Sequence, residues 1–168
     1  MSYKIANIKI SIKTKGLCLN NVLNKALENK LYCVNYKNYI VLKNTFTYII
    51  FKYNKNKINH INITKLKSKI DVLAAIKLIK KLLNIKIHFF SIDNIIATGF
   101  IGDKLNLQFI IEKKYFEVMK YNNETFPGLF IKFEIGTIIL FSTGKFVCVG
   151  VKSEKNLKCL IQKIHVLI

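Results

Sequence analysis

Residues 137–150, Thr-Ile-Ile-Leu-Phe-Ser-Thr-Gly-Lys-Phe-Val-Cys-Val-Gly, read as a β-hairpin that is apolar on both faces. A three-residue connection, Ser142-Thr143-Gly144, closes it if Gly144 takes the left-handed region, which glycine enters without steric cost. That closure sets Phe141 opposite Lys145, Ile139 opposite Val147 and Thr137 opposite Val149. Side chains alternate along a strand. One face therefore carries Thr137, Ile139, Phe141, Val147 and Val149, and the other Ile138, Leu140, Phe146 and Cys148. An antiparallel sheet usually keeps one face wet and polar. Here one face can pack on helices, and the second must meet something else.

The 168 residues suffice for one compact domain or two small repeats, and 51% of them are hydrophobic, enough for a sizeable core. No run of 18 uncharged apolar residues calls for a membrane span, and Met1 to Asn7 lack the apolar stretch of a secretory signal. The formal charge is +19, and all 28 basic residues are lysine. The abundance of Lys, Asn and Ile fits codon choice in an AT-rich genome, which accounts for the missing arginine. A charge of this size still draws nucleic acid or an anionic surface without specific contacts. A solvated surface, or assembly into a ribonucleoprotein, is the competing reading. Cys18, Cys33, Cys148 and Cys159 stand apart, as do His60, His88 and His165, so zinc is not expected. The thiols are expected to be buried and reduced.

The chain also echoes itself, 85 to 90 positions apart. Ile5-Ala6-Asn7-Ile8 answers Ile92-Asp93-Asn94-Ile95, and Leu17 to Asn20 answers Leu105 to Gln108. Tyr39 falls where Phe126 falls, Thr47 to Phe51 answers Thr137 to Phe141, and Lys67-Ser68 answers Lys152-Ser153. Each half predicts a strand bearing an Asn, an apolar helical stretch (Leu19 to Leu31; Leu105 to Met119), β-rich segments and a closing amphipathic helix. The first closing helix spans about Ser68 to Leu83, capped by Ser68 with Asp71 in its first turn. Its apolar side is Val72, Leu73, Ala75, Ile76, Ile79, Leu82 and Leu83. The second starts near Ser153 and uses Leu157, Leu160, Ile161, Ile164 and Leu167. Segment 52–64 is polar and ragged, and predicts a longer, looser hairpin turn than that at 142–144. The expected division is residues 1–84 and 85–168, together one domain.

Phe126-Pro127-Gly128-Leu129, Ile139 to Lys145 and Val147 to Glu154 resemble the core of the TATA-box-binding protein family. The likeness is sharp over about 121–155, fair around Asn7 and Asn94, and faint across 20–66. The length fits the bare two-repeat core of that family. The resemblance implies an α+β saddle: two pseudo-twofold repeats form one curved, ten-stranded antiparallel sheet with four helices on the convex face. It implies a general transcription initiation factor whose concave face enters the minor groove of TATA-like promoter DNA. Wedging and kinking of the duplex are properties of that family and come with the resemblance.

On the same footing, Phe126 and Phe141 are the wedges of one repeat, and Tyr39 and Phe51 those of the other. Tyr39 departs from the family's Phe and would carry its hydroxyl into a poorly solvated base step. Asn7 and Asn94 match the family's central asparagines, whose amides donate to minor-groove acceptors. Ile49, Ile96, Ile139 and Val147 would touch the groove floor. Val149 stands where the family usually has Thr. Lys132, Lys145 and Lys152 match phosphate-gripping positions, with Lys132 replacing an Arg and so losing the bidentate fork. Surface solvation is the competing reading for each of these lysines. Lys9 replaces a groove-lining Val and could reach a phosphate. Glu124 lies in the loop that meets transcription factor IIB in the family, while the loop that meets factor IIA is not recognisable.

Gly144-Lys145 is no phosphate loop, because Ile139 stands where that loop needs Gly. No catalytic spacing stands out among nine acidic residues, so no enzyme and no cofactor are expected. The expected partners are TATA-like duplex DNA, factors like IIB and IIA, and the RNA polymerase machinery, with no membrane. The implied location is a nucleus, a nucleus-like organelle or a viral factory. Two alternatives remain open. One is a divergent relative with little sequence preference that works through a partner. The other is a basic, RNA-associated structural protein.

Overall fold

A computed structural model describes residues 1–54, 57–87, 89–113 and 119–167, leaving aside the exposure of Lys15 and Gly16. The element order repeats once. The first series is β1 (Ser2–Cys18), α1 (Leu19–Glu28), β2 (Tyr32–Asn35), β3 (Tyr39–Lys43), β4 (Thr47–Lys52), β5 (Lys57–Leu66) and α2 (Lys69–Leu83). The second is β6 (Phe90–Phe100), α3 (Leu107–Glu112), β7 (Met119–Asn122), β8 (Phe126–Phe133), β9 (Gly136–Phe141), β10 (Lys145–Val151) and α4 (Glu154–Leu167). The class is α+β, as expected. The ten strands run in the order β2-β3-β4-β5-β1-β6-β10-β9-β8-β7.

The chain divides into two compact units, an N-terminal one of Asn7–Ile92 and a C-terminal one of Met1–Ala6 with Asp93–Ile168. In the N-terminal unit α2 packs on β5. Ser68 caps it by accepting from the Asp71 N–H at 3.1 Å, and Asp71 Oδ2 accepts from the Lys67 N–H at 2.7 Å. One orphan donor of the first turn is thus satisfied, and the Asp71 carboxylate ties down the residue that enters the cap. Val72, Ala75, Ile79 and Leu83 form the buried stripe. Leu73, expected on that stripe, is exposed because it sits off its phase. The core side of the sheet is Ile10, Ile12, Ile40, Leu42, Ile50, Ile61 and Ile63, all fully buried. Each such side chain contributes about 1.5–3 kcal/mol.

In the C-terminal unit α4 packs on β9 and β10 and buries Leu157, Leu160, Ile161, Ile164 and Leu167, the five residues expected. Leu129, Ile131, Ile138, Leu140, Phe146 and Cys148 face it from the sheet.

Segment 52–64 holds a longer turn than 142–144, as expected, with four residues, 53–56, joining β4 to β5 against three, although the segment from Lys57 on is strand and residues 55 and 56 lie outside the described ones. Two other expectations are corrected. Among the described residues the apolar stretch 105–119 is helical over Leu107–Glu112, where Asn106 Oδ1 accepts from the Phe109 N–H, and Met119 already lies in β7; 114–118 lie outside the described residues, as does His88. The cysteines are not uniformly buried: Cys148 is, Cys18 and Cys33 are half-buried, and Cys159 is exposed because position 159 falls off the apolar stripe of α4. Burial pushes the Cys148 thiol up to about 12, which keeps it protonated and inert.

Candidate nucleic-acid interface

The hairpin of β9 and β10 has the register that the sequence dictates. Val147 pairs with Ile139 and Val149 with Thr137, and Gly144, at φ 81°, closes the turn with its N–H on the Phe141 carbonyl at 2.9 Å. An added Cβ at Gly144 would stand 2.1 Å from the Asp103 carbonyl oxygen, so the turn admits no other residue without movement. Ile138, Leu140, Phe146 and Cys148 are buried, while Thr137, Ile139, Phe141, Val147 and Val149 are half-buried.

That second face extends across the C-terminal unit. Thr98, Val147, Ile139 and Phe130 form one cross-strand row, and Val149, Thr137 and Lys132 another. Ile96 is half-buried on β6. Lys145 pairs with Phe100, and Gly128 with Phe141. Phe126 is 38% exposed and lays its ring over Gly128, where an added Cβ would come within 2.5 Å of it. Its ring centroid lies 5.8 Å from that of Phe141 and 5.0 Å from that of Phe130. These are tilted aromatic contacts of ordinary strength. Phe130 was missed by sequence reasoning, although it lies four residues beyond Phe126 on one strand and so on the same face. Beside the aromatics, an open concavity of about 730 Å³ is bordered by Tyr3, Thr98, Phe100, Pro127, Phe141 and Val147.

The N-terminal unit repeats the scheme with different residues. Tyr39 pairs directly with Phe51, at 6.2 Å between ring centroids. Register thus aligns Tyr39 with Gly128, not with Phe126 as the sequence echo implied. Tyr36 stacks on Tyr39 at 4.7 Å, and His60 lies 5.6 Å from Phe51. The next row is Ser11, Asn62, Ile49 and Val41. Ser11 Oγ donates to Asn62 Oδ1 at 2.9 Å, and His60 Nε2 lies 2.6 Å from the same oxygen. This buried polar group had no signal in the sequence, since its members meet only through strand pairing.

Asn7 and Asn94 occupy matching places. Asn7 Oδ1 accepts from the Lys65 N–H, and Asn94 Oδ1 from the Gly150 N–H, each at 2.8 Å. Both donors are left-handed residues, with φ of 66° and 77°, at interruptions of the ladder. A backbone N–H can meet only the amide oxygen, so each Nδ2 is turned outward as a donor.

Lys132, Lys145 and Lys152 are exposed, and Lys9 is half-buried. Glu124 sits exposed in a turn held by Asn122, whose Oδ1 accepts the Glu124 N–H and whose carbonyl accepts the Thr125 N–H.

Residues 89–168 match the family model described as "Transcription factor TFIID (or TATA-binding protein, TBP)". The TATA-box-binding protein of Pyrobaculum calidifontis is 35% identical over 77 residues, 45% of this chain and 38% of the relative. That of Thermoplasma volcanium is 32% identical over 112 residues, 62% of this chain and 61% of the relative. The solved structure of Methanococcus jannaschii TBP superposes with a TM-score of 0.78 at 27% identity, over 99% of this chain and 98% of that one. The C-terminal half matches the TATA-binding protein family, and the fold of the whole chain is like that of an archaeal member. The matched stretches span about two fifths of the Pyrobaculum relative and three fifths of the Thermoplasma one. Among the described residues no helix is long and apolar enough to cross a membrane.

Proposed function

We propose that this chain is a general transcription initiation factor that seats both half-buried sheet faces in the minor groove of TATA-like promoter DNA. The observation that carries the reading is the pair Asn7 and Asn94, each with its oxygen held by backbone and its nitrogen left to donate. The A·T minor groove offers the acceptors N3 and O2, and only G·C adds an opposing amino donor. Around the amides, Ile49, Ile96, Ile139, Val147 and Val149 offer apolar contact to an opened groove floor. Opening needs unstacked base steps, which cost a few kcal/mol each. Phe126 and Phe141 are the wedges of the C-terminal unit, and Phe51 with Tyr39 those of the N-terminal unit. Stacking on Tyr36 makes Tyr39 the less available of the four. Lys132, Lys145, Lys152 and Lys9 grip phosphates, so affinity falls steeply with salt.

The bent complex is then a platform for the preinitiation assembly. Glu124, on its stiff turn, meets a basic partner of the factor IIB kind, and a factor IIA-like protein and the polymerase machinery complete the set. The two repeats, 1–84 and 85–168, act as one DNA-binding domain without catalysis, in whichever compartment holds the promoters.

A second reading has one observation in its favour. The polar Ser11–Asn62–His60 group and the two tyrosines make the N-terminal face a poorer wedge, as suits a relative of low sequence preference that works through a partner. Gel shifts on TATA and GC-rich duplexes of equal length separate the readings. Tight binding that prefers TATA, with bending seen by energy transfer across the duplex, supports the first. Binding only alongside another protein supports the second. Equal affinity for RNA and any duplex overturns both.

A further inference from the structure

We propose that Asn62 is a base-edge donor that makes the two halves of the bound duplex unequal, an inference that rests on the minor-groove reading above. Asn62 is only 7% exposed and lies on β5 between Ser11 and Ile49. Its Oδ1 takes the Ser11 hydroxyl at 2.9 Å and His60 Nε2 at 2.6 Å. With the amide oriented as in the structure, Oδ1 takes the Ser11 hydroxyl and meets His60 as its Nε2–H tautomer, which turns Nδ2 away from both. Ser11 and His60 are therefore positioning residues.

The Asn62 Nδ2 makes no hydrogen bond among the described residues. It is not sealed from solvent either, for the one fully buried side-chain polar atom without a partner among the described residues is Thr47 Oγ1. The amide nitrogen thus reaches the surface already aimed. A polar side chain at this depth costs stability unless satisfied. The fold does not demand it, because the matching position of the C-terminal unit, between Thr98 and Ile139, is Val147. The N-terminal unit holds a costlier residue with a pre-set donor at a place where groove contact is proposed.

In the minor groove that donor accepts A·T or T·A equally, through N3 or O2, and opposes the 2-amino group of guanine. Val147 bars that amino group only by shape. One step in the half met by the N-terminal unit should therefore be penalised for the amino group itself.

Inosine, which lacks the 2-amino group, tests this. Each pair of an A·T duplex is changed in turn to G·C or I·C, and binding is followed by fluorescence anisotropy. At one step G·C should weaken binding of the unaltered protein by about fivefold, the scale of one hydrogen bond, and I·C should restore it. Asn62→Val should close the gap between G·C and I·C at that step alone and weaken A·T binding by a similar factor. An unchanged gap overturns the inference and leaves the minor-groove reading standing. Failure of the unaltered protein to bind any A·T duplex overturns that reading and this inference with it. If circular dichroism shows Asn62→Val unfolded, Ser11→Ala carries the test: a narrowed gap supports the role, and an unchanged one removes it.

Discussion

The two units build one scaffold and finish it differently. Toward the helices both are apolar, with Ile40, Leu42, Ile50, Ile61 and Ile63 in one, where the Tyr48 hydroxyl donates to the Ala75 carbonyl of α2, and Leu129, Ile131, Ile138, Leu140 and Cys148 in the other. On the opposite side the C-terminal unit sets Thr98, Val147, Ile139 and Phe130 in a row, where the N-terminal unit sets Ser11, Asn62, Ile49 and Val41. Core residues must fill a fixed volume at near-crystalline density, so they change little in character. The other face answers to whatever it touches, and there the units diverge. The difference teaches that packing against the helices constrains one face of each sheet far more than the other.

The comparison breaks most sharply at the aromatics. Phe141→Ala should weaken duplex binding by roughly tenfold or more and abolish most of the bend, since it removes one wedge of a step that costs a few kcal/mol to open. Phe51→Ala should do less, because its neighbours Tyr39 and His60 are polar-tipped where the neighbour of Phe141 is Phe126. Energy transfer across an end-labelled duplex reads both. Neither residue faces the helices, so thermal melts should shift little. Equal loss of bending from both changes would erase the proposed inequality.

Gly128 sharpens the contrast at the next level. Its counterpart in the N-terminal unit is Tyr39, with a full side chain, yet an added Cβ at Gly128 would stand 2.5 Å from Phe126 Cε1 and 2.9 Å from Ile139 Cγ2. Gly128→Ala must tilt the Phe126 ring and should cost about 1–3 kcal/mol of stability by overpacking, with a matching loss of bending. Denaturant midpoints give the first quantity. A variant as stable as the parent with its bend intact would show that the ring is free to settle elsewhere.

Much of this was legible in the sequence. The hairpin at 137–150 was readable because a single glycine fixed its closure, and the Ser68 cap because its hydroxyl precedes an amphipathic run; at the expected start of the last helix Ser153 Oγ likewise accepts the Asn156 N–H. The paired asparagines were readable because each recurs in the same local string. What stayed hidden depends on long-range pairing. Ser11 and Asn62 are 51 residues apart and meet only through the β1–β5 register. β5 itself was disguised, since Ile58, Ile61 and Ile63 are out of step by one residue where the pairing of β5 with β4 and β1 shifts. Thr47 Oγ1, buried and without a partner among the described residues, could not be foreseen from its string, which matches that of Thr137.

The asparagine clamps test whether the units share more than outline. Asn94→Ala leaves the Gly150 N–H without its acceptor, and Asn7→Ala does the same to Lys65. Both sites are exposed enough for water to substitute, so each should cost about 0.5–1.5 kcal/mol. Binding to an A·T duplex should fall in both by more than the melts imply, because the outward donor is lost as well. A loss in binding no larger than the loss in stability would reduce the pair to a structural clamp.

The smallest expected effect is the most diagnostic of the shared design. The clamped N–H belongs to Gly150 in one unit and to Lys65 in the other, and both are left-handed. A side chain in that region costs about 1 kcal/mol. Around Gly150 the space is open, the nearest atom to an added Cβ being Gly136 Cα at 3.8 Å, so Gly150→Ala should pay for backbone strain alone and lose about that much. Lys65→Gly should recover part of the same quantity, a few tenths of a kcal/mol, because the flexibility gained by the unfolded chain opposes the relief. Opposite signs in paired denaturant titrations are the expected result. If both changes destabilise alike, the Lys65 side chain holds something that the Gly150 position does not need, and the two interruptions of the ladder are alike in geometry only.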